Sequence, residues 1–152
     1  MIKEKELNKL NIKTPNEERK YSVGRTFTSR KDGKTYAMML TYIDARYVMD
    51  RFDEAVGVGN WESEFYELKG RLFCRITITF IRDDETIATI SKTDCGVESN
   101  VEKEKGEVSD AFKRCAVHFG IGRDLYPKRD DEPLYAECGS NGKPPFNWKP
   151  KN

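Results

Sequence analysis

From Arg71 to Arg82 apolar and polar residues alternate: Leu72, Cys74, Ile76, Ile78 and Phe80 fall on one side, Arg71, Arg75, Thr77 and Thr79 on the other. A strand turns over every two residues, so this run predicts a sheet with one apolar face, and such a face has to be covered by something else in the chain. Its neighbours supply the sheet. Trp61 to Lys69 precedes it across a Gly70 turn, and Glu85 to Thr93 follows across Asp83-Asp84, which makes a three-stranded antiparallel meander. Two helical patterns supply the cover. From Thr41 to Val56 the apolar positions Ala45, Val48, Met49, Phe52, Ala55 and Val56 share one face before Gly57-Val58-Gly59 stops the helix. From Val108 to Arg123 a second stripe runs through Ala111, Phe112, Cys115, Ala116 and Phe119, with Gly120 placed where a helix ends in a left-handed residue. Ser99 with Glu102 reads as a capping box leading into it. Upstream, Thr26–Ser29 and Thr35–Met38 flank Arg30-Lys31-Asp32-Gly33-Lys34, an Asp-Gly hairpin turn. The expected class is α+β in the order β-hairpin, helix, three-stranded antiparallel meander, helix. That order is also the outline of a double-stranded RNA-binding domain.

A chain of 152 residues is long enough for one domain with a core. Residues 25–128 hold the elements above. Residues 1–24 are highly charged with sparse Leu7, Leu10 and Ile12, and are expected to form a short helix or an N-terminal arm. Residues 129–152 carry several prolines and glycines and read as an irregular tail. Tyr135, Phe146 and Trp148 are too apolar for a purely solvated tail; they dock on this subunit or the next, or bind another protein. No run approaches a membrane span and the first residues lack a signal-peptide core, so the expected compartment is cytoplasmic, with no membrane partner. Of the cysteines Cys74, Cys95, Cys115 and Cys138, none lies within metal-knuckle spacing of another; Cys74 and Cys115 read as small core residues. With His118 the single histidine, an imidazole-built metal site is not expected.

The net charge is only +1, but the charge is sorted. Residues 25–46 hold five cations and two acids, and residues 111–129 hold five cations and one acid, Asp124. Residues 47–70 and 83–110 are net acidic. Sorted blocks make a basic strip on a near-neutral protein, or complementary surfaces between identical subunits. Lys113 and Arg114 stand next to one another off the apolar stripe of the second helix, so they are expected to face solvent side by side. An ordinary solvated helix face would look the same in sequence. Arg71 and Arg75 are expected to pair with acids such as Glu64 or a neighbour's Glu98–Glu107 segment, and His118 to be hydrogen-bonded near its helix end.

Tyr42-Ile43-Asp44-Ala45-Arg46 opening a helix, Gly59-Asn60-Trp61 opening a meander, and Asp110-Ala111-Phe112-Lys113-Arg114 followed by Phe119-Gly120-Ile121-Gly122-Arg123-Asp124-Leu125-Tyr126 resemble the Rad52-type single-strand annealing proteins, in particular their prokaryotic and phage branch. The match covers about residues 25–128, with three separated motifs in order. The resemblance implies a ring of identical subunits that holds single-stranded DNA in a groove with its bases outward. A complementary strand can then pair, with no nucleotide, cofactor or catalytic metal, in homologous recombination and repair. Carried over by position, Lys113 and Arg114 match the paired basic residues of the final helix. Where animal members carry another Arg one turn later, this chain has Val117. A basic residue of the first helix falls on Tyr47, with Arg46 one place earlier as its substitute, and Arg123 or Lys128 corresponds to a cation beyond the Phe-Gly. The hairpin-tip cations Arg30, Lys31 and Lys34 either line the groove's outer lip or form a soluble loop tip. Expected partners are single-stranded DNA, further copies of the chain and a single-strand-binding protein. Repeated around a ring, two or three cations per copy add up to a phosphate track.

Other classes predict other residues. A double-stranded RNA-binding module would start its last helix with lysines, where this chain places Glu102, Glu104 and Glu107. A metal-dependent nuclease would use Glu67-Leu68-Lys69 on a strand with Asp53 upstream. A pure scaffold would bind no nucleic acid.

Overall fold

A computed structural model describes residues 1–97 and 103–151. The chain folds as two compact units, one of residues 1–14 with 44–124, the other of residues 15–43 with 125–152. The secondary structure is α+β, with two antiparallel three-stranded sheets and two α-helices among the described residues.

The first unit holds the meander β3 (Trp61–Leu68), β4 (Arg71–Ile81) and β5 (Ile87–Cys95), in that spatial order. The alternation in β4 is realised: Cys74, Ile76, Ile78 and Phe80 are buried. The β3–β4 turn puts Lys69 and Gly70 at φ 53° and 76°, the paired left-handed residues that match the twist of a tight hairpin. Helix α1 (Ala45–Val56) starts later than the helical period suggests, because Tyr42 ends a strand and Asp44 takes the N-cap position. Gly57, at φ 94°, stops α1 as expected. Helix α2 (Lys103–Val117) packs across β4 and β5, with Ala111, Phe112, Cys115 and Ala116 buried. The Ser99–Glu102 capping box lies outside the described residues.

An aromatic cluster joins the helices to the sheet. Phe52 of α1 is fully buried, with ring centroids 4.9 Å from Trp61, 5.9 Å from Phe119 and 6.3 Å from Phe112. The indole N–H of Trp61 donates to Asp53 Oδ1 at 2.8 Å, so its polar edge is satisfied inside the packing. Cys74 and Cys115 are buried where β4 meets α2. The Cys115 side chain and burial together push the Cys74 thiol far up, so it stays protonated and acts as a packing residue.

Of the two forms expected for the N-terminal residues, a short helix or an arm, the first 14 contain a short helix, of the 3-10 kind. Glu4–Leu10 forms a 3-10 helix against α1, Leu10 is buried, and the N–H of Ile81 donates to the carbonyl of Ile2 at 2.8 Å. Buried Thr14 donates both its N–H and its hydroxyl to the carboxylate of Asp124, at 2.9 and 2.7 Å. Gly120 has φ 106°, and a Cβ there would lie 2.4 Å from the Cβ of Asn11. It ends the helix as expected: the Gly120 N–H donates to the Val117 carbonyl at 2.9 Å and the Ile121 N–H to the Ala116 carbonyl at 3.3 Å, the paired closing bonds of a left-handed glycine cap, and the missing Cβ also admits the N-terminal segment at close range.

The second unit is the sheet β1 (Lys20–Thr28), β2 (Thr35–Tyr42) and β6 (Leu134–Glu137), in the order β1-β2-β6. The hairpin is longer than Thr26–Met39. Its first strand begins at Lys20 and contains a bulge between Val23 and Arg25, which hides the extension from a strict period of two. The tail expected to be irregular supplies β6, paired with Tyr36–Met39 of β2. Ala37, Met39 and Ala136 form a small core, against which Tyr21, Leu134, Cys138 and Trp148 pack. The opposite face carries Phe27, Tyr36 and Tyr135, with Phe27 ring centroids 6.1 and 5.6 Å from the other two. No helix of the described residues is long and apolar enough to cross a membrane.

Candidate nucleic-acid interface

Four of the eight candidate cations lie in the first unit and four in the second. In the first unit, Arg46 is exposed in the opening turn of α1, and Lys113 and Arg114 stand on α2. The two helices that carry them pack against one another. The buried stripe of α2 keeps this helix from rotating, so the α2 pair has a fixed outlook.

The expectation of two cations standing out in solvent needs correction. Lys113 is half-buried, and the Arg114 side chain is 39% exposed with its Nε donating to Asp110 Oδ2 at 2.8 Å. The same carboxylate oxygen accepts the N–H of Val97 at 2.7 Å. Asp110 therefore orients the guanidinium one turn along the helix and offsets part of its charge. Its own place is fixed by the loop after β5. That loop approaches α2 at Gly96, where a Cβ would meet the Glu107 carbonyl oxygen at 2.6 Å. The acid four residues before an arginine is a signal present in the sequence, the i,i+4 pair.

Arg123 is exposed, but its guanidinium is engaged by the end of α2. Its Nε and Nη2 donate to the Val117 carbonyl at 3.1 and 2.9 Å, and Nη2 also donates to the His118 carbonyl at 2.9 Å. It closes the open carbonyls at the end of α2, where a cation also favours the helix dipole. Lys92 of β5, missed in the sequence because it sits in an ordinary strand, does the same work. Its Nζ donates to the His118 carbonyl at 2.8 Å and lies 5.1 Å from the Phe119 ring centre. The His118 ring faces Asp94 at 2.9 Å, in line with a hydrogen-bonded histidine at the helix end. Arg75 pairs with Glu64 at 2.8 Å, as expected; in the alternative partner segment, the side chains of Glu98, Glu102 and Glu104 lie outside the described ones.

In the second unit the hairpin tip carries Arg30, Lys31 and Lys34, all exposed. The tip is well tied: Ser29 N–H donates to the Lys34 carbonyl at 2.8 Å, Gly33 N–H to the Ser29 carbonyl at 2.9 Å, and Lys34 N–H to Asp32 Oδ1 at 2.9 Å. Lys34 Nζ lies 3.3 Å from Glu137 of β6. The Tyr36 hydroxyl donates to Asp32 Oδ2 at 2.6 Å, which lowers the Asp32 carboxyl below its ordinary range and raises the Tyr36 phenol to about 12. Lys128 is exposed, and its N–H donates to Asp131 Oδ2 at 2.7 Å in a turn.

The residues of the nuclease alternative do not form its motif. Asp53 holds the Trp61 indole from α1, and Lys69 sits at the hairpin turn instead of on a strand. Among the described residues no group of three or more acidic, cysteine or histidine side chains could hold a metal ion.

Comparison with known proteins agrees with the motifs. The chain is 37% identical over 95 residues to the single-stranded DNA-binding protein DdrA of Deinococcus radiodurans, covering 61% of this chain and 43% of that protein. It is 39% identical over 95 residues to the protein of the same name from Deinococcus deserti, covering 61% of this chain and 44% of the relative. The chain thus matches less than half the length of either relative. The family model of Rad52/22 double-strand break repair proteins matches residues 7–135, which takes in both helices, the meander and the hairpin; the chain belongs to that family.

Proposed function

We propose that this protein binds single-stranded DNA and anneals complementary strands without ATP or a metal ion, in recombinational repair, as a ring of identical copies. The observation that carries the reading is the α2 cation pair on a helix locked by Phe112, Cys115 and Ala116, in a chain of the Rad52/22 family. Both relatives named above bear names that state single-stranded DNA binding. In this reading Lys113 acts as a point charge, while Arg114, steadied through Nε by Asp110, offers a guanidinium plane to a phosphate. Arg46 extends the track from α1. Arg123 holds the helix end and adds charge at longer range. Arg30, Lys31, Lys34 and Lys128 form an outer, weaker set. No bond is made or broken, so the protein has to hold the backbone, leave the bases free and release the duplex. Residues 25–128 contain the annealing domain, completed by the docked N-terminal segment and β6.

The test is the double variant Lys113→Ala/Arg114→Ala, compared with the parent in oligo-dT binding, annealing of complementary oligonucleotides without ATP or magnesium, and mass in solution with and without oligo-dT. Affinity is expected to fall about tenfold or more and annealing with it, while the assembled mass stays that of the parent. Normal binding and annealing by the double variant would move the site elsewhere. A strictly monomeric parent would remove the ring.

A further inference from the structure

A cleft of about 770 Å³ lies wholly within the second unit, between β1 and residues 142–149. Its floor is apolar: Tyr21, Val23 and Met39 from the sheet, and Trp148 set edge-on to Tyr21 with ring centroids 5.5 Å apart. The wall of residues 142–149 carries two exposed cations, Lys143 and Lys149, and no acid lies among the described residues that line the cleft. The chain as a whole carries 26 acids against 27 Lys and Arg, so a lining with cations alone is a local departure from its composition. The wall formed by 142–149 is preorganised. Gly139 N–H donates to the Lys143 carbonyl at 2.9 Å, Lys143 N–H to Asn141 Oδ1 at 2.9 Å, and Trp148 N–H to the Pro145 carbonyl at 3.2 Å. Phe146, on this wall directly after Pro144-Pro145, is 93% exposed. Beside the floor, no strand among the described residues pairs with the outer edge of β1.

We propose that this cleft docks an acidic, extended peptide of a partner protein through one apolar anchor residue. The apolar floor takes the anchor, Lys143 and Lys149 meet carboxylates beside it, and the edge of β1 offers main-chain hydrogen bonds to an extended segment. Charge complementarity dictates an anionic occupant. A peptide fits better than a DNA strand, because a base drawn into a recess of this kind is withdrawn from pairing, which works against annealing. The choice of a peptide over a DNA strand rests on the annealing reading, while the cleft residues are separate from α1 and α2, so loss of peptide binding and loss of strand binding are read separately.

The probe is a short fluorescein-labelled peptide of mixed aspartate and glutamate with one central phenylalanine, titrated by anisotropy against the full chain. Two control peptides replace the phenylalanine by serine or the acids by their amides. The protein variants are Lys143→Glu/Lys149→Glu and Phe146→Ala, all at solvent-facing positions, checked for unchanged circular dichroism. Saturable binding of the parent peptide is expected, weakened about tenfold or more by the charge reversal and several-fold by Phe146→Ala and by loss of the anchor, with oligo-dT affinity kept in the Phe146→Ala protein. Absence of saturable binding, or binding indifferent to these changes, overturns the proposal. It is equally overturned if oligo-dT displaces the peptide and loses affinity on Phe146→Ala, which would make the cleft a nucleic-acid surface. A variant that changes the assembled mass would assign the cleft to a second copy of the chain and also overturn it.

Discussion

Asp32 and Tyr36 are four residues apart on the hairpin, and the single hydrogen bond between them moves both titrations outward. Asp32 is held below its ordinary value, so the stability it adds is present above the unfolded-chain value of about 3.9 and is lost as pH falls through the lowered one. Tyr36 is raised, so its contribution is complete below about 10 and disappears as pH rises from there through about 12. Asp32→Asn is expected to bring the Tyr36 phenol back toward 10, read site by site from its ring-carbon chemical shift; a phenol that stays near 12 would disprove the cause. Glycines give a second contrast. Gly120 and Gly33 both have positive φ, at 106° and 72°. An added Cβ meets the Asn11 Cβ at 2.4 Å in the first case and nothing within 4 Å in the second. Gly33→Ala should therefore cost about 1 kcal/mol of backbone strain, and Gly120→Ala about 3 kcal/mol or more, strain plus displacement of the N-terminal segment. Urea unfolding of the two variants checks the difference. The Phe-Gly dipeptide was legible as a motif; that its glycine answers to Asn11 was not, because the two lie far apart in sequence.

Among the elements, α2 shows how packing decides exposure. Its apolar stripe was readable from spacing: Ala111, Phe112, Cys115 and Ala116 are buried, while Phe119 lies past the helix end and is partly buried. Helical geometry places Lys113 and Arg114 off that stripe, yet both are half-buried; the Arg114 guanidinium is held by Asp110 one turn back, which is itself tied to the loop at Val97. Both α-helices meet the sheet through one aromatic cluster, and Phe52 is its centre. Phe52→Ala should cost about 3–5 kcal/mol in chemical unfolding, since it opens a cavity among Trp61, Phe112 and Phe119 that the backbone cannot close. The exposed Phe146→Ala should stay within about 0.5 kcal/mol of the parent. A Phe52→Ala protein as stable as the parent would show that the cluster repacks. The short strand β6 escaped the sequence because four residues among prolines and glycines carry too little period to register. It forms because β2 has a free edge to offer.

For the whole molecule, the charge balance bears directly on function. A chain of net charge +1 cannot attract DNA by its overall field, so in the proposed function binding rests on sorted cations repeated over the copies of the proposed ring. On single strands each phosphate contact contributes a slope of about −0.7 in log affinity against log salt. Removing Lys113 and Arg114 is expected to flatten that slope by about 1.4 per copy, measured by oligo-dT titration across a salt series. An unchanged slope would mean that these two side chains do not meet phosphates.

By itself the sequence established what short range can establish. The α+β class, the meander with its alternating β4, the two helical stripes and the three family motifs all rest on residues within a few positions of one another, where a period of two or of 3.6 is a direct print of backbone geometry. Tertiary structure alone decided where the ends of the chain go. Residues 1–14 complete the unit of the meander, residues 15–24 begin the hairpin, and the tail finishes the second sheet and walls its cleft. It also decided which cations are held from afar: Lys92 of β5 by the end of α2, and Lys34 by Glu137 of β6. These outcomes depend on partners brought together from distant positions by burial and by unsatisfied backbone groups. Where the partner lies within one turn, as Asp110 does for Arg114, the pair is legible in the sequence; where it lies far off, as for Lys92 and Lys34, the charged side chain carries no local mark of it.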